Sequence, residues 1–320
     1  MAISTTKFDI PVQFRHEDTA THNSEISAQT TDSRISVVIV SRNEGANRQR
    51  TLEQFARTLP ASSEIVIVND SLEEQEPDLG VAADHEIHVI RSEGIGVTNA
   101  RNLGASHAEG DVVVFADAHV DVPPGWWHPV ANALSSSTVG AVAPAISVMG
   151  DPNTRGYGLR LKGSGLSTEW LTKQAKHPYP VPILPGCFLA MRKDTFLKTG
   201  GFDSGMDTWG MSDIELSIRL WLLGYELRII PEITVPHLFR KRHPYPVSSR
   251  AVIHNMLRTA FVHFNPRRVE LVIGNVRDKE EFPAALAMLI AGNYADRRSD
   301  LAGSKVHTDD WFFQQFGPDF

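Results

Sequence analysis

The sequence predicts an α/β fold, with a central, mainly parallel sheet flanked by helices, on three observations. Short apolar runs alternate with segments of helical period through the first half of the chain, the pattern of strands covered on both faces by crossover helices. The clearest run, 112–116, has apolar residues only and is too short for an ordinary helix. Several runs end in polar, chemistry-bearing residues, at the edge where open α/β sheets hold ligands.

Residues 1–33 are polar, rich in Ser, Thr, Asp and His, and read as an arm ahead of the fold. Residues 35–40 form a buried strand. A helix over 46–59 follows, with Leu52, Phe55, Ala56 and Leu59 as its apolar stripe. Strands at 64–68 and 86–90, a helix at 96–107 and a strand at 111–116 complete a nucleotide-binding type of α/β unit. Further strands fall at 139–149 and at 181–192, the latter turning at Pro185-Gly186. Between them, 150–180 reads as a long loop over the site and a candidate acceptor-binding region. A strong helix spans 211–224 and is closed by Gly224, a favourable left-handed cap. A strand at 226–230 follows, and Ile233-Thr234-Val235-Pro236 marks another strand end. Helices are expected at 249–263 and 280–291, before an aromatic tail around Trp311, Phe312 and Phe313. The domain organisation expected is an arm over 1–33, an α/β domain over 34–265 and a helical extension over 266–320.

The 320 residues, 42% hydrophobic and 22% charged, match a soluble globular protein. A net charge of −7 argues against general affinity for nucleic acid or an anionic membrane. One cysteine, Cys187, excludes an internal disulfide and fits a reducing cytoplasm. It sits in an apolar run and reads as a small packed residue rather than a nucleophile. No apolar segment reaches the length of a membrane span, and 1–34 holds no signal-peptide core. A cytoplasmic protein without a membrane span is expected.

The run at 112–116 delivers Asp117-Ala118-His119 to a strand's carboxyl end. Residues two apart in extended backbone share a side, so carboxylate and imidazole can converge on one divalent metal. The bland alternative is a turn aspartate and an unrelated histidine. Asp70, past the second strand, suits a base N–H or ribose hydroxyls and equally suits a turn cap. Asn43 and Glu44 hold the equivalent place after the first strand and can frame the same nucleotide. Glu93-Gly94-Ile95-Gly96 precedes a helix carrying Asn99, Arg101 and Asn102, a weak phosphate signal. The strongest late feature is His237-Leu238-Phe239-Arg240-Lys241-Arg242-His243-Pro244-Tyr245. Guanidinium forks and a phenol hydroxyl suit diphosphate oxygens, and His237 can supply a third metal ligand. The alternative is a solvated basic turn.

These motifs together resemble the GT-A (Rossmann-like) nucleotide-sugar glycosyltransferases of family 2, and most of all the polypeptide N-acetylgalactosaminyltransferases. The similarity runs from about Ile35 to Asn265 in that family's order. Asp117-Ala118-His119 resembles its Asp-x-His metal motif. Gly205 to Gly210 resembles the segment before its catalytic helix, and His237 to Tyr245 its His-x-Phe-Arg-Lys-x-x-Pro-Tyr run. The resemblance implies that Asp117, His119 and His237 bind Mn²⁺ (or Mg²⁺). It implies that Arg240, His243 and Tyr245 hold the diphosphate, and that Asp70 contacts the uridine. Gly186 and Cys187 align with a glycine pair beside the donor sugar, and Trp209 with a mobile-loop tryptophan over the nucleotide sugar.

The chain also departs from that pattern. Where the family has Glu-Asn at the start of the catalytic helix, this chain has Ser212-Asp213. The wider family 2 carries Glu-Asp there, with the aspartate as base in an inverting reaction. Some 55 residues follow Asn265, too few for the family's lectin domain, and its membrane anchor and secretory cysteines are not expected. Helix geometry puts Asp213 and Ser217 on one face, while Glu215 and Arg219 read as a structural i,i+4 pair. The reading is a metal-dependent transferase moving a sugar, GalNAc or GlcNAc, from a UDP-sugar donor to an acceptor hydroxyl on a glycan, peptide or small molecule. Asp213 orients the sugar or takes the acceptor proton. The rivals are a polysaccharide or secondary-metabolite transferase with another donor, and a non-catalytic nucleotide-sugar-binding protein.

Overall fold

The computed structural model describes residues 33–320 except 72, 83 and 319; the arm expected over 1–33 lies almost wholly outside the described residues. Among the described residues the central sheet has nine strands. Strands β1 (Ile35–Ser41), β2 (Glu64–Asn69), β3 (Glu86–Arg91) and β4 (Val112–Asp117) pair in parallel in the order β3-β2-β1-β4. Next to β4 lies β10 (Phe188–Arg192), antiparallel both to it and to β5 (Val139–Val148). The parallel direction returns with β5 and β11 (Glu226–His237). The carboxyl ends of β1, β2, β4 and β11 therefore open on one edge.

Alternation along the strands sorts the core. Ile35, Val37 and Ile39 of β1 join Ile65, Ile67, Val112 and Val114 on one face, as expected for a side-chain period of two. Helix α1 (Ala46–Thr58) covers them with Leu52 and Phe55, and α3 (Trp127–Leu134) with Val130 and Leu134. The opposite face, with Val38, Val66, Val68 and Phe115, meets α2 (Val97–His107) and α5 (Ser212–Leu222). Helix α5 starts after Met211, whose φ is 68°. Asp213 and Glu215 in its first turn suit the positive end of the helix dipole, and it stops before Gly224 at φ 85°.

The structure corrects three expectations and adds one helix. Residues 150–180 are not a plain loop: they carry β6 (Asp151–Gly156), β7 (Leu159–Leu161), β8 (Thr168–Trp170) and β9 (Tyr179–Pro180). The strand expected over 181–192 is confined to β10, because Pro182 and Pro185 interrupt the ladder before it. The two runs at 226–230 and 233–236 are one strand, β11, carrying a register shift between Ile230 and Thr234. Helix α3, which has no sequence expectation, carries Pro129 in its first turn. Within a first turn a proline removes an N–H that has no intrahelical acceptor.

After β10 comes the short α4 (Lys193–Lys198), and beyond β11 the chain is helical. There α6 (Ser249–His263) is followed by α7 (Pro266–Val276), α8 (Phe282–Ala291), α9 (Tyr294–Ala302) and α10 (Asp309–Phe316). Asn265 caps α7 by accepting from Arg268 N at 3.1 Å, with Pro266 as first helical residue. The aromatic tail is helix α10, and its Phe312 and Phe313 are buried. Among the described residues no helix is long and apolar enough to cross a membrane.

Candidate active site

A cleft of about 530 Å³ opens at the carboxyl edge of the sheet, within the size range of small-molecule sites. Strand β4 ends on Asp117, and the chain runs on through His119 to Val120, which bridges His237 at the end of β11. Leu238 N donates to His119 O at 3.1 Å and Asp121 N to Pro236 O at 3.0 Å, so two backbone segments distant in sequence hold the three side chains together. One ligand atom each from Asp117, His119 and His237 falls within 4.8 Å of the others. His237 Nε2 lies 3.4 Å and His119 Nε2 3.9 Å from Asp117 Oδ2.

Burial alone raises the Asp117 carboxyl; the approach of His237 and the charges of His119 and Arg101 more than reverse this, leaving it well below the ordinary carboxylate range. It is a fixed anion. Both ring nitrogens of His237 are buried without a hydrogen-bond partner, a costly state for polar atoms. An anionic oxygen and two imidazoles converging on one point, with orphaned nitrogens, fit a divalent cation such as Mn²⁺.

Arg101, buried on α2, clasps the floor of the cleft. Its guanidinium donates to Asp117 Oδ1 at 3.2 Å, Gly186 O at 2.7 Å and Ser212 Oγ at 3.4 Å. The structure therefore makes Arg101 a strut between β4, the 185–187 turn and the start of α5. Asp213 Oδ2 accepts from Gly186 N at 3.3 Å. A Cβ on Gly186 would stand 3.1 Å from Asp213 Cβ and 3.2 Å from its Oδ2, so a side chain there would press on Asp213. Burial raises the Asp213 carboxyl, against the opposing charge of Arg101 and backbone hydrogen bonds. Cys187 lines the cleft, and burial, with the charges of Asp117 and Asp213, pushes its thiol well up. It is a neutral packed residue, not a nucleophile.

Asp70 is engaged within the protein. It lines the cleft, but its carboxylate accepts from Ser92 Oγ at 2.8 Å, Ile95 N at 2.8 Å and Gly96 N at 3.0 Å. It fixes the turn into α2. Asn43, at φ 57°, is exposed and accepts from Ser71 Oγ at 2.6 Å. Glu44 is turned inward and forks onto Arg240: Nη1 donates to Oε1 at 2.8 Å and Nη2 to Oε2. Its Oε2 is also 3.3 Å from His119 Nδ1. Burial raises the Glu44 carboxyl, and Arg240 and His119 bring it below its ordinary value. The pair framed for a nucleotide is thus divided: Asn43 is exposed outside the cleft, while Glu44 lines it with its carboxylate held by Arg240.

The basic loop after β11 forms one wall. Tyr245 lies under the Arg42 guanidinium, 5.0 Å from ring centre. Burial, then the charges of Asp117 and Glu44, push its phenol up to about 12, so it stays a hydrogen-bond donor. His243 packs edge-on against exposed Trp209 at 4.6 Å. The Trp209 loop is tied down by Asn255 of α6, whose Nδ2 donates to the carbonyls of Asp207 at 2.7 Å and Gly210 at 3.0 Å. Gly96 passes so close that a Cβ would sit 2.8 Å from Thr208 Cα. Leu159, Leu166 and Trp170 of the 150–180 region also line the cleft, with Phe239 opposite Trp170 at 6.0 Å.

Sequence reasoning missed Arg42, Asn255 and Glu74. Glu74 accepts from Asn43 N at 2.9 Å, Glu44 N at 3.0 Å and Gly45 N at 2.7 Å, and so holds the loop after β1. A buried asparagine within the apolar stripe of α6 was a readable signal; Glu74, in an irregular acidic stretch, offered none.

Fold and cleft together are of the GT-A type. A family model of glycosyl transferase family 2 matches residues 36–200, and one for the N-terminal domain of galactosyltransferase matches 170–244. The chain belongs to glycosyl transferase family 2. It is 32% identical to Polypeptide N-acetylgalactosaminyltransferase 11 of Xenopus tropicalis, over 71% of this chain and 42% of that protein. It is 28% identical to Putative polypeptide N-acetylgalactosaminyltransferase 13 of Drosophila melanogaster, over 95% of this chain and 60% of that protein. The chain thus spans about half the length of these relatives. The crystal structure of GalNAc-T7 with UDP, GalNAc and Mn²⁺ superposes with a TM-score of 0.73 at 24% identity, covering 88% of this chain and 56% of that one.

Proposed function

We propose that the chain transfers GalNAc or GlcNAc from a UDP-sugar to an acceptor hydroxyl in a metal-dependent reaction. The observation that carries this reading is the convergence of Asp117, His119 and His237, with the nitrogens of His237 buried and without a hydrogen bond, beside a loop bearing Arg240 and Tyr245. Asp117, His119 and His237 hold Mn²⁺ or Mg²⁺, which when bound neutralises charge growing on the departing diphosphate. Arg240 donates to diphosphate oxygens, Tyr245 adds a neutral donor and His243 closes the same wall. Asp213, fixed against Gly186, orients the donor sugar or receives the acceptor proton. Trp209 covers the nucleotide sugar. The acceptor, a glycan, peptide or small molecule, enters past Leu166, Trp170 and Phe239. A cytoplasmic location belongs to the same proposal and is supported by the lone, buried Cys187; microscopy of the tagged full-length protein tests it.

The test is a donor panel read by UDP release, with Mn²⁺ present or chelated. Release from one UDP-hexosamine that stops on chelation is expected. Equal release without metal would sink the proposal. Ser212, where the resembling family has Glu, favours a second reading: tight UDP binding with no release from any donor would make the chain a nucleotide-sugar-binding protein.

A further inference from the structure

We infer that Glu44 is a positioning residue that ties His119 to Arg240, so that metal and diphosphate bind as one coupled event. This rests on the reading of Asp117, His119 and His237 as metal ligands. Glu44 is 7% exposed, and both its oxygens are committed to Arg240. Its Oε2 also stands 3.3 Å from His119 Nδ1, a buried atom that makes no hydrogen bond in this arrangement. A carboxylate behind a ligating histidine accepts its second N–H, fixing the tautomer and the ring plane so that the other nitrogen faces the metal. Here that other nitrogen, Nε2, is the one nearer Asp117.

Glu44 is not free to swing toward a nucleotide. Its backbone N–H and those of Asn43 and Gly45 all donate to Glu74, and Arg48 Nη1 reaches the same carboxylate at 3.3 Å. The loop is anchored from behind, and its one inward carboxylate meets two cationic or metal-ligating partners. The fork onto Glu44 uses two of the five N–H groups of a guanidinium, leaving three for phosphate oxygens. Arg240 can therefore keep Glu44 and take the diphosphate at once, while His119 reports the same carboxylate to the metal.

The experiment measures Mn²⁺ binding by electron paramagnetic resonance without nucleotide, and UDP and uridine binding by calorimetry with and without Mn²⁺. Wild type is compared with Glu44→Ala and Glu44→Gln. Glu44→Ala is expected to weaken Mn²⁺ alone by about ten- to a hundredfold, the usual effect of removing such a partner. It is also expected to shrink the gain in UDP affinity that Mn²⁺ confers, with uridine affinity kept. Glu44→Gln, which retains one acceptor, gives an intermediate loss. Wild-type Mn²⁺ affinity in Glu44→Ala would overturn the inference, as would uridine affinity falling as far as UDP affinity. If the alanine protein does not fold, wild-type Mn²⁺ affinity in Glu44→Gln overturns it instead. Absence of Mn²⁺ binding by wild type removes the metal-site reading itself, and this inference with it.

Discussion

Arg240→Ala separates a diphosphate contact from a nucleoside contact. A charge-assisted hydrogen bond contributes roughly 1.5–3 kcal/mol, which is about ten- to a hundredfold in UDP affinity. The structure places the effect toward the upper end of that range. Arg240 forks onto Glu44, whose side chain is 5% exposed, so the substitution leaves a poorly solvated carboxylate beside the entering phosphates. Its repulsion adds to the lost donor. Arg240→Ala combined with Glu44→Gln removes both charges, and the loss should retreat toward tenfold, giving a measurable coupling in the double-mutant cycle. Calorimetry of UDP and of uridine at saturating Mn²⁺ is the assay, since uridine lacks the group that Arg240 meets. A fall in uridine affinity as large as that in UDP affinity would refute the assignment, and so would additive effects of the two substitutions.

Two further perturbations probe the floor of the cleft. Asp213→Asn keeps hydrogen-bonding capacity, so an orienting role predicts a turnover loss below about a hundredfold, partly expressed in donor binding, with the anomeric configuration retained by NMR. A loss of roughly 10²–10⁴ with donor affinity kept and an inverted product would instead assign Asp213 as general base. Gly186→Ala brings a methyl within 3.2 Å of the Asp213 carboxylate; a small displacement of that side chain should lower turnover by roughly two- to tenfold. Unchanged turnover in Gly186→Ala would show that the Asp213 position is not critical.

What was legible in the sequence follows from how local each signal is. Strands β1, β2 and β4 are near-continuous apolar runs, and burial on both faces leaves that mark in any parallel sheet. Asp117 and His119 share a strand end, and His237 ends another, so their meeting follows from topology. Asp70, Glu44 and Arg101 read differently once folded, because their partners lie far along the chain. Ser92 and Gly96 claim the Asp70 carboxylate. Arg240, 196 residues away, claims Glu44, and Gly186 and Ser212 claim Arg101. A polar residue at a strand end announces that it will be satisfied, not by what. The short strands between 150 and 180 are invisible for a related reason: two- and three-residue pairings carry no periodicity of their own.

The helices over 266–320 bear on the cleft although none of them touches it. Asn255 of α6 holds the Trp209 loop, and α6 is in turn enclosed by α7, α8 and α9. Val306 N and His307 N donate to Leu222 O at 2.8 and 3.0 Å, tying the tail to the end of α5, the helix that carries Asp213 in its first turn. Trp221 of α5 packs on Trp311 and Phe316 at 6.1 and 4.7 Å. Arg297 donates to Gly200 O at 3.2 Å. Val272, Leu289, Leu301, Phe312 and Phe313 are buried, each contributing about 1.5–3 kcal/mol. Together they are on the order of the roughly 5–15 kcal/mol that a whole domain retains. Removing residues 266–320 should therefore abolish cooperative folding of the remainder, not trim an appendage. Circular dichroism melts and calorimetry of UDP on the shortened chain check this. A 1–265 piece that melts cooperatively and binds UDP as tightly as the full chain would show that the helices are dispensable and that a boundary at 265 separates two independent units.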